Sequence, residues 1–331
     1  MDPVDALTEI AYLLERERSS RYKSKAFRTA AAAIADLDPA VLADATRLRA
    51  VPGVGDSTFT VIRQALAGEV PERLAELRER NGPKPSTLRG MLRGDLHSHS
   101  EWSDGTTPID AMVAGALTLG HEYLALTDHS PRLTIARGLS AERLEQQLDV
   151  VAGFRDDGFR LLTGIECDIN EDGTLDQTPE LLGRLDVVVA SVHSKLKSDP
   201  REMTRRMLGA IRNPHTDVLG HVTGRLVEGS RGTRPGSTFD ADAVFVACAE
   251  ERVAVEINSR PERQDPPDDL ILKALDAGCL FSIDSDAHAP GQLSLLDYGA
   301  ERAERLGVPP ERIVTTWPLE ELLAWTGRPR G

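Results

Sequence analysis

His97 and His99 stand one residue apart in "GDLHSHSEWSDGTT" (94–107), which also holds Asp95, Glu101 and Asp104. Histidine is scarce in this 331-residue chain, which has eight. Six of them fall at the ends of short apolar runs: His97, His99, His129 in "YLALTDH", His193 in "DVVVASVH", His221 in "DVLGH" and His288 in "LFSIDSDAH". Glu166 ends "RLLTGIE", Asp286 lies two residues before His288, and Asp104 follows His99 by five. Imidazole and carboxylate together suit Zn2+, Mn2+ or Fe2+. Cys167, Cys248 and Cys279 show no CxxC spacing, which argues against a structural zinc site. Nine such donors are too many for one ion and enough for two or three, with Glu166 a natural bridge.

The apolar runs are the frame for these groups. Strand-like segments recur at 123–128, 160–169, 186–193, 217–221, 253–258, 280–288 and 312–317, and a further one starts near 93–98. Helical periodicity fills 108–119, 140–156, 199–212, 239–251 and 268–277. This alternation predicts an α/β fold of about eight strands, closer to a parallel barrel than to an open sheet. Barrel enzymes place their chemistry at the C-terminal ends of the strands, where these donors fall. Alternate residues of a strand share a face, so His97 and His99 can both point into the barrel.

Residues 1–80 read as a separate, all-helical domain, and "NGPKPSTLRGMLR" (81–93) as a linker, leaving 94–331 for the barrel. The net charge of −14 is unevenly spread: residues 1–90 hold 14 Lys and Arg against 13 Asp and Glu, and the remainder 25 against 40. An acidic barrel is a poor general binder of nucleic acid, so DNA affinity is expected only in the N-terminal part. No apolar stretch is long enough to span a membrane and no signal peptide is visible. A cytoplasmic protein with reduced cysteines, no membrane partner and a monomeric state compatible with the sequence is expected.

"DLHSHSEWSDG", "ALTDHS", "GIECDI", "ASVHS", "GHVTGR" and "SIDSDAH", in this order, resemble the PHP (polymerase and histidinol phosphatase) superfamily over residues 94–317. Amidohydrolases share the opening His-x-His but not the terminal Asp-x-His or the bridging Glu166. The resemblance implies a distorted, TIM-like (β/α)7 barrel with a trinuclear metal centre. One ion would take His97, His99, Glu166 and Asp286, a second Glu166, His193 and His221, and a third Asp104, His129 and His288. A water between two ions, acidified to hydroxide, would hydrolyse a phosphoester without a protein nucleophile. Glu166, Asp286 and Arg225 are the candidate catalytic residues. Arg225 matches the family's phosphate-clamping arginine, and Lys195, Asn258, Arg260 and Arg263 are further candidate substrate contacts. Asp128 is expected to support its neighbour His129, while His121 and His215 are expected to be ordinary surface or loop residues.

"LRAVPGVGDSTFTVIRQAL" (48–66) resembles a helix-hairpin-helix whose Gly53 and Gly55 form the hairpin and aim backbone N–H groups at a DNA phosphate. Residues 1–80 as a whole resemble the small N-terminal domain of bacterial family X DNA polymerases. That family's polymerase palm has no room in the linker, and its Schiff-base lysines fall at Ser57 and Val61 here. Polymerase and lyase activities are therefore not expected. A metal-dependent 3′–5′ exonuclease or 3′-end phosphoesterase is the favoured expectation. The alternatives are a small-molecule phosphatase, for example on histidinol phosphate, and a non-catalytic DNA-binding scaffold.

Overall fold

The structure, a computed structural model, describes residues 1–82, 86–154, 158–229 and 232–327; residues 83–85 of the expected linker lie outside them. The chain divides into two compact units, Met1–Pro83 with Pro290–Gln292, and Lys84–Ala289 with Leu293–Gly331.

The first unit is built from α1 (Pro3–Arg16), α2 (Arg21–Ile34), α3 (Pro39–Ala43), α4 (Ala45–Arg49), α5 (Asp56–Leu66) and α6 (Glu72–Arg80). The Asp2 carboxylate starts α1 by accepting the N–H groups of Val4 and Asp5 at 2.7 and 3.1 Å, and Pro3 occupies the first helical position. Leu7, Ile10 and Leu14 recur at helical spacing and meet Phe27, Ala30 and Ile34 of α2 and Val61 and Ile62 of α5. Each of these large side chains contributes about 1.5–3 kcal/mol by leaving water. Between α4 and α5 the chain turns through Val51–Gly55. Gly53 adopts φ +95°, and a Cβ there would lie 3.0 Å from Thr29 Cγ2. Gly55 caps α5, its N–H and C=O both meeting Thr58 Oγ1 at 2.9 Å.

The second unit carries β1 (Gly94–Ser98), β2 (Tyr123–Leu126), β3 (Arg160–Asp168), β4 (Val187–Ser191), β5 (Val218–Leu219), β6 (Ala254–Asn258) and β7 (Phe281–Asp284). All neighbours pair in parallel and in sequence order. Around them run α7 (Ile109–Thr118), α8 (Ala141–Gly153), α9 (Pro179–Leu182), α10 (Pro200–Ile211), α11 (Ala241–Glu251), α12 (Asp268–Asp276), α13 (Leu296–Arg305) and α14 (Leu319–Thr326). None of the described helices is long and apolar enough to cross a membrane.

The barrel is nearly closed. No ladder joins β1 to β7; instead Ser98 and Ala287 form a single parallel bridge, and His99 N–H donates to Ala287 O at 2.7 Å. Two buried carboxylates lace the rest of this seam, Asp284 accepting the Leu96 N–H at 2.9 Å and Asp95 the Ser285 N–H at 3.2 Å.

The eighth strand expected at 312–317 does not form. Val314–Thr316 is a 3-10 turn, and only Ile313 bridges to Phe281. Thr315 Oγ1 accepts the Ile283 N–H at 3.1 Å, so a side chain satisfies the β7 backbone there. Thr316 Oγ1 donates to Pro310 O and Ile313 O at 2.9 and 2.8 Å, which holds the turn.

Strand parity sorts the interior. On the inward face Ala125, Leu162, Val187, Val189, Val218 and Ala254 fill the bottom of the barrel, closed below by Leu322 and Trp325 of α14. Ile165, Val188, Val255 and Ile257 face outward and pack with Met203 and Met207 of α10 and Phe245 of α11. Continuing the inward parity upward replaces apolar side chains by Glu166 on β3 and Glu256 and Asn258 on β6. The three cysteines are buried and free.

Candidate metal centre

At the upper end of the strands all nine expected donors come together. Glu166 is 1% exposed, and its two carboxylate oxygens divide the histidines. Oε2 lies 3.4 Å from His97 Nε2, 3.7 Å from His99 Nε2 and 2.7 Å from His129 Nδ1. Oε1 lies 2.8 Å from His221 Nε2 and 3.1 Å from His193 Nε2. Asp286 Oδ1 is 3.5 Å from His99 Nε2, and Asp104 Oδ1 is 3.4 and 3.3 Å from the Nε2 atoms of His129 and His288.

Three overlapping groups have donor atoms close enough to share an ion: His97, His99 and Glu166; His129, Glu166 and His193; and His99, Asp104, His129 and His288. The grouping differs in detail from the family-based assignment. His129 stands between the Glu166 and Asp104 groups; the His99 ring stacks on His129 with centroids 4.5 Å apart, and its centroid lies 4.3 Å from that of the tilted His288 ring.

These contacts are close without being hydrogen bonds. His97 Nε2, both nitrogens of His99 and of His193, His129 Nδ1, His221 Nδ1 and both Glu166 oxygens are buried and have no hydrogen-bond partner among the described residues. Buried polar atoms left so are costly, and a converging set of them is rare. Imidazole nitrogens and carboxylate oxygens facing one another are the donors that a borderline divalent cation takes. The residues fit metal ions.

Supporting groups fix these donors. Glu256, fully buried on β6, sets its Oε1 2.6 Å from His97 Nδ1, and its Oε2 accepts the His221 N–H. A proton on His97 Nδ1 leaves the Nε2 lone pair toward the centre. Glu256 was not foreseen; its inward parity with Asn258 in "VAVEIN" was the available signal. Asp128 supports the loop after β1 rather than His129 itself. Its carboxylate accepts from Ser100 N, Ser100 Oγ and Gln147 Nε2 at 2.9, 2.6 and 2.7 Å, and from Ser103. That loop carries Asp104.

The charges adjust to one another. Burial opposes ionisation of Glu166, but His193, His97 and His129 outweigh it and hold its pKa well below the usual carboxylate range. Burial likewise opposes charge on Asp286, and Arg263 and Arg260 overcome it. His97 is disfavoured as a cation by burial, yet Glu256 and Glu166 raise its pKa well above the ordinary value. Burial, with His288 and His129 nearby, lowers His99 to about 3. Burial and Arg263 lower His221.

The remaining expected residues take different positions. Asn258 Nδ2 and Arg263 Nε donate to Asp286 Oδ2 at 3.2 and 3.1 Å, and Arg260 Nη1 donates to Asp286 O at 2.7 Å. Their described partners are thus Asp286 and its surroundings. Arg225 is half-buried, its guanidinium donating to Arg263 O at 3.0 Å and to Gln264 O. Lys195 is exposed in the loop after His193, with φ +54°. His121 is not a surface residue: it is 4% exposed, and both ring nitrogens lack partners among the described residues. Gly53 and Gly55 are exposed at the hairpin of the first unit.

Residues 95–260 match the PHP domain family and residues 1–70 the helix-hairpin-helix domain. The DNA polymerase/3′-5′ exonuclease PolX of Bacillus subtilis is 34% identical over 241 residues, 72% of this chain and 42% of that protein. The chain therefore spans less than half of that relative's length. A probable phosphatase of Aeromonas hydrophila is 28% identical over 246 residues, 71% of this chain and 94% of that protein. Among solved structures, the histidinol phosphate phosphatase of Lactococcus lactis, complexed with zinc, L-histidinol and phosphate, covers 65% of this chain and is itself covered to 92%, with 18% identity and a TM-score of 0.46. With half of its length matched and a parallel barrel carrying the clustered donors, the chain belongs to the PHP domain family of metal-dependent phosphoesterases, with a helix-hairpin-helix domain at its N-terminus.

Proposed function

We propose that the protein is a 3′–5′ exonuclease or 3′-end phosphoesterase acting on DNA with three divalent ions, Mn2+, Zn2+ or Fe2+. The observation that carries this reading is the division of Glu166, one oxygen facing His97, His99 and His129 and the other His193 and His221. That arrangement suits a carboxylate shared between two ions, with Asp104, His129 and His288 suited to a third. Bound there, divalent ions acidify water and offset negative charge on phosphoryl oxygens. Glu256 keeps His97 in the tautomer that presents Nε2, while Asn258, Arg260 and Arg263 hold Asp286 against movement. Arg225 and Lys195 are the cations proposed to grip the phosphate. Gly53 and Gly55 of the hairpin supply the grip on a DNA backbone, which the acidic barrel lacks.

A small-molecule phosphatase is the second reading, favoured by the match to a probable phosphatase over nearly its whole length. One experiment separates them. Full-length protein with Mn2+ is offered 3′-labelled single-stranded DNA and histidinol phosphate side by side. Release of nucleotides from the 3′ end, with slower turnover of histidinol phosphate, is expected; the reverse order overturns the DNA reading.

A further inference from the structure

A cavity of about 260 Å3 lies between the loop after β6 and α13, lined among others by Asn258, Arg260, Gln264, Arg302 and Arg305. Asn258 and Arg260 are also the residues that touch Asp286, so one wall is shared with the metal centre. Arg302 is 7% exposed. Its Nε and Nη2 are held by Asp268 Oδ1 at 3.0 and 2.7 Å, and Nη2 also donates to Pro266 O. Its Nη1 is buried with no hydrogen-bond partner among the described residues. Ser259 Oγ, in the same lining, is buried and equally without one. A guanidinium pinned on one edge and unmet on the other is costly unless a ligand's acceptor meets it.

We propose that this cavity is a subsite for a phosphodiester of the substrate other than the one being cleaved. The inference rests on the DNA reading above and narrows its substrate class to strands with at least two phosphodiesters near the 3′ end. The charge of the wall selects the ligand. Arg260 pairs with Glu262 at 2.9 Å, Arg302 and Arg305 pair with Asp268 at 2.7 and 2.8 Å, and Glu301 also lines the cavity. Three cations are thus balanced by three carboxylates. Such a wall offers directed N–H donors with little net charge, which suits a singly charged diester better than a doubly charged terminal phosphate. The volume accommodates one phosphate with part of its sugar, and the shared wall sets it next to the reacting end. A substrate with a single phosphate gains nothing from it.

The test compares two substrates on metal-loaded, full-length protein, both read by release of thymidine 5′-phosphate: the dinucleotide TpT, a short ester with one phosphodiester, and TpTpT, the same ester extended on its 5′ side by one nucleotide through a second phosphodiester. The wild type is expected to show a KM at least fivefold lower for the extended ester. Arg302→Gln is expected to abolish that preference while leaving kcat/KM on the short ester within twofold. Arg302 also anchors Asp268, so Gln264→Glu serves as a variant that leaves this anchor alone. It sets a carboxylate at the exposed rim and is expected to weaken the preference severalfold. Equal KM values in the wild type, or an unchanged preference in either folded variant, overturns the subsite.

Fluorescence anisotropy of labelled trithymidylate reads binding apart from cleavage, and here Arg302→Gln is expected to bind at least fivefold more weakly than wild type. Loss of DNA cleavage with this difference retained sinks the exonuclease reading and leaves the subsite. Cleavage retained without the difference sinks the subsite alone.

Discussion

Replacing Glu256 by Gln should disable the metal centre without touching any of its nine expected ligands. Glu256 accepts on both sides, from His97 Nδ1–H at 2.6 Å and from the backbone N–H of His221. Glutamine has the same shape but one acceptor. With its amide NH2 toward His221, two buried donors oppose each other, a cost of about 1–3 kcal/mol. With the NH2 toward His97, Nδ1 must accept and the ring proton moves to Nε2, the atom 3.4 Å from Glu166 Oε2. That proton occupies the lone pair an ion would need. Loss of such outer support lowers metal affinity by about 10–100-fold, or about 1.4–2.8 kcal/mol. Competition between the protein and a fluorescent chelator for Mn2+ measures this directly, with circular dichroism to confirm the fold. A folded Glu256→Gln protein that binds Mn2+ within twofold of wild type would refute the tautomer argument.

Glu166→Gln should cost at least tenfold more activity on a small phosphodiester than Asp104→Ala, because Glu166 contacts five histidines while the Asp104 side chain contacts two and is 39% exposed. Equal residual rates at saturating Mn2+ would count against the bridging role. Burial, aided by Arg89, lowers His121 to about 3, so it stays neutral in the fold while the unfolded chain takes up its proton near pH 6.5. Stability is then full above about 6.5 and falls as the pH drops toward the folded value, by about 2 kcal/mol between pH 7 and 5. His121→Gln should flatten the Tm difference between those two pH values, and an undiminished difference would assign it elsewhere. Gly53→Ala places a side chain at φ +95° and 3.0 Å from Thr29 Cγ2. It should destabilise the first unit by about 1–3 kcal/mol and weaken DNA binding in an anisotropy titration, with hydrolysis of a small ester unchanged. An unaltered melt and titration would exclude a role for this turn.

Eight of the nine donors were legible in the sequence because each sits at the end of an apolar run, and such runs announce strand ends; Asp104 lies in the loop after His99 and was legible only from its motif. "YLALTDH" and "DVVVASVH" need no tertiary knowledge to be read as strands carrying a polar tip. What was not legible depends on contacts between strands. Glu256 looks like one more polar residue in an alternating strand until His97 and His221 are brought beside it. Asn258, Arg260 and Arg263 were expected at the substrate, and only the fold shows them holding Asp286. "RIVTTW" has strand composition, but its two threonines find side-chain roles on β7 and on the preceding turn, so the ladder is not extended. His121 carries no periodic signal of its own, and its burial follows from the turn between α7 and β2.

The seam between β1 and β7 gives the metal centre a mechanical meaning. Along it the backbone contributes little beyond the Ser98–Ala287 bridge, so the first and last strands are free to part more readily than neighbours joined by a ladder. His97 and His99 lie on one side of that gap and Asp286 and His288 on the other. An ion held from both sides would therefore act as a cross-link, closing a loop on the order of 190 residues and removing the entropy those ends would have apart. Amide exchange at Leu96, His99 and Ser285 would then slow when metal is added, ahead of any change at β3 or β4. In this barrel the catalytic ions would double as the clasp.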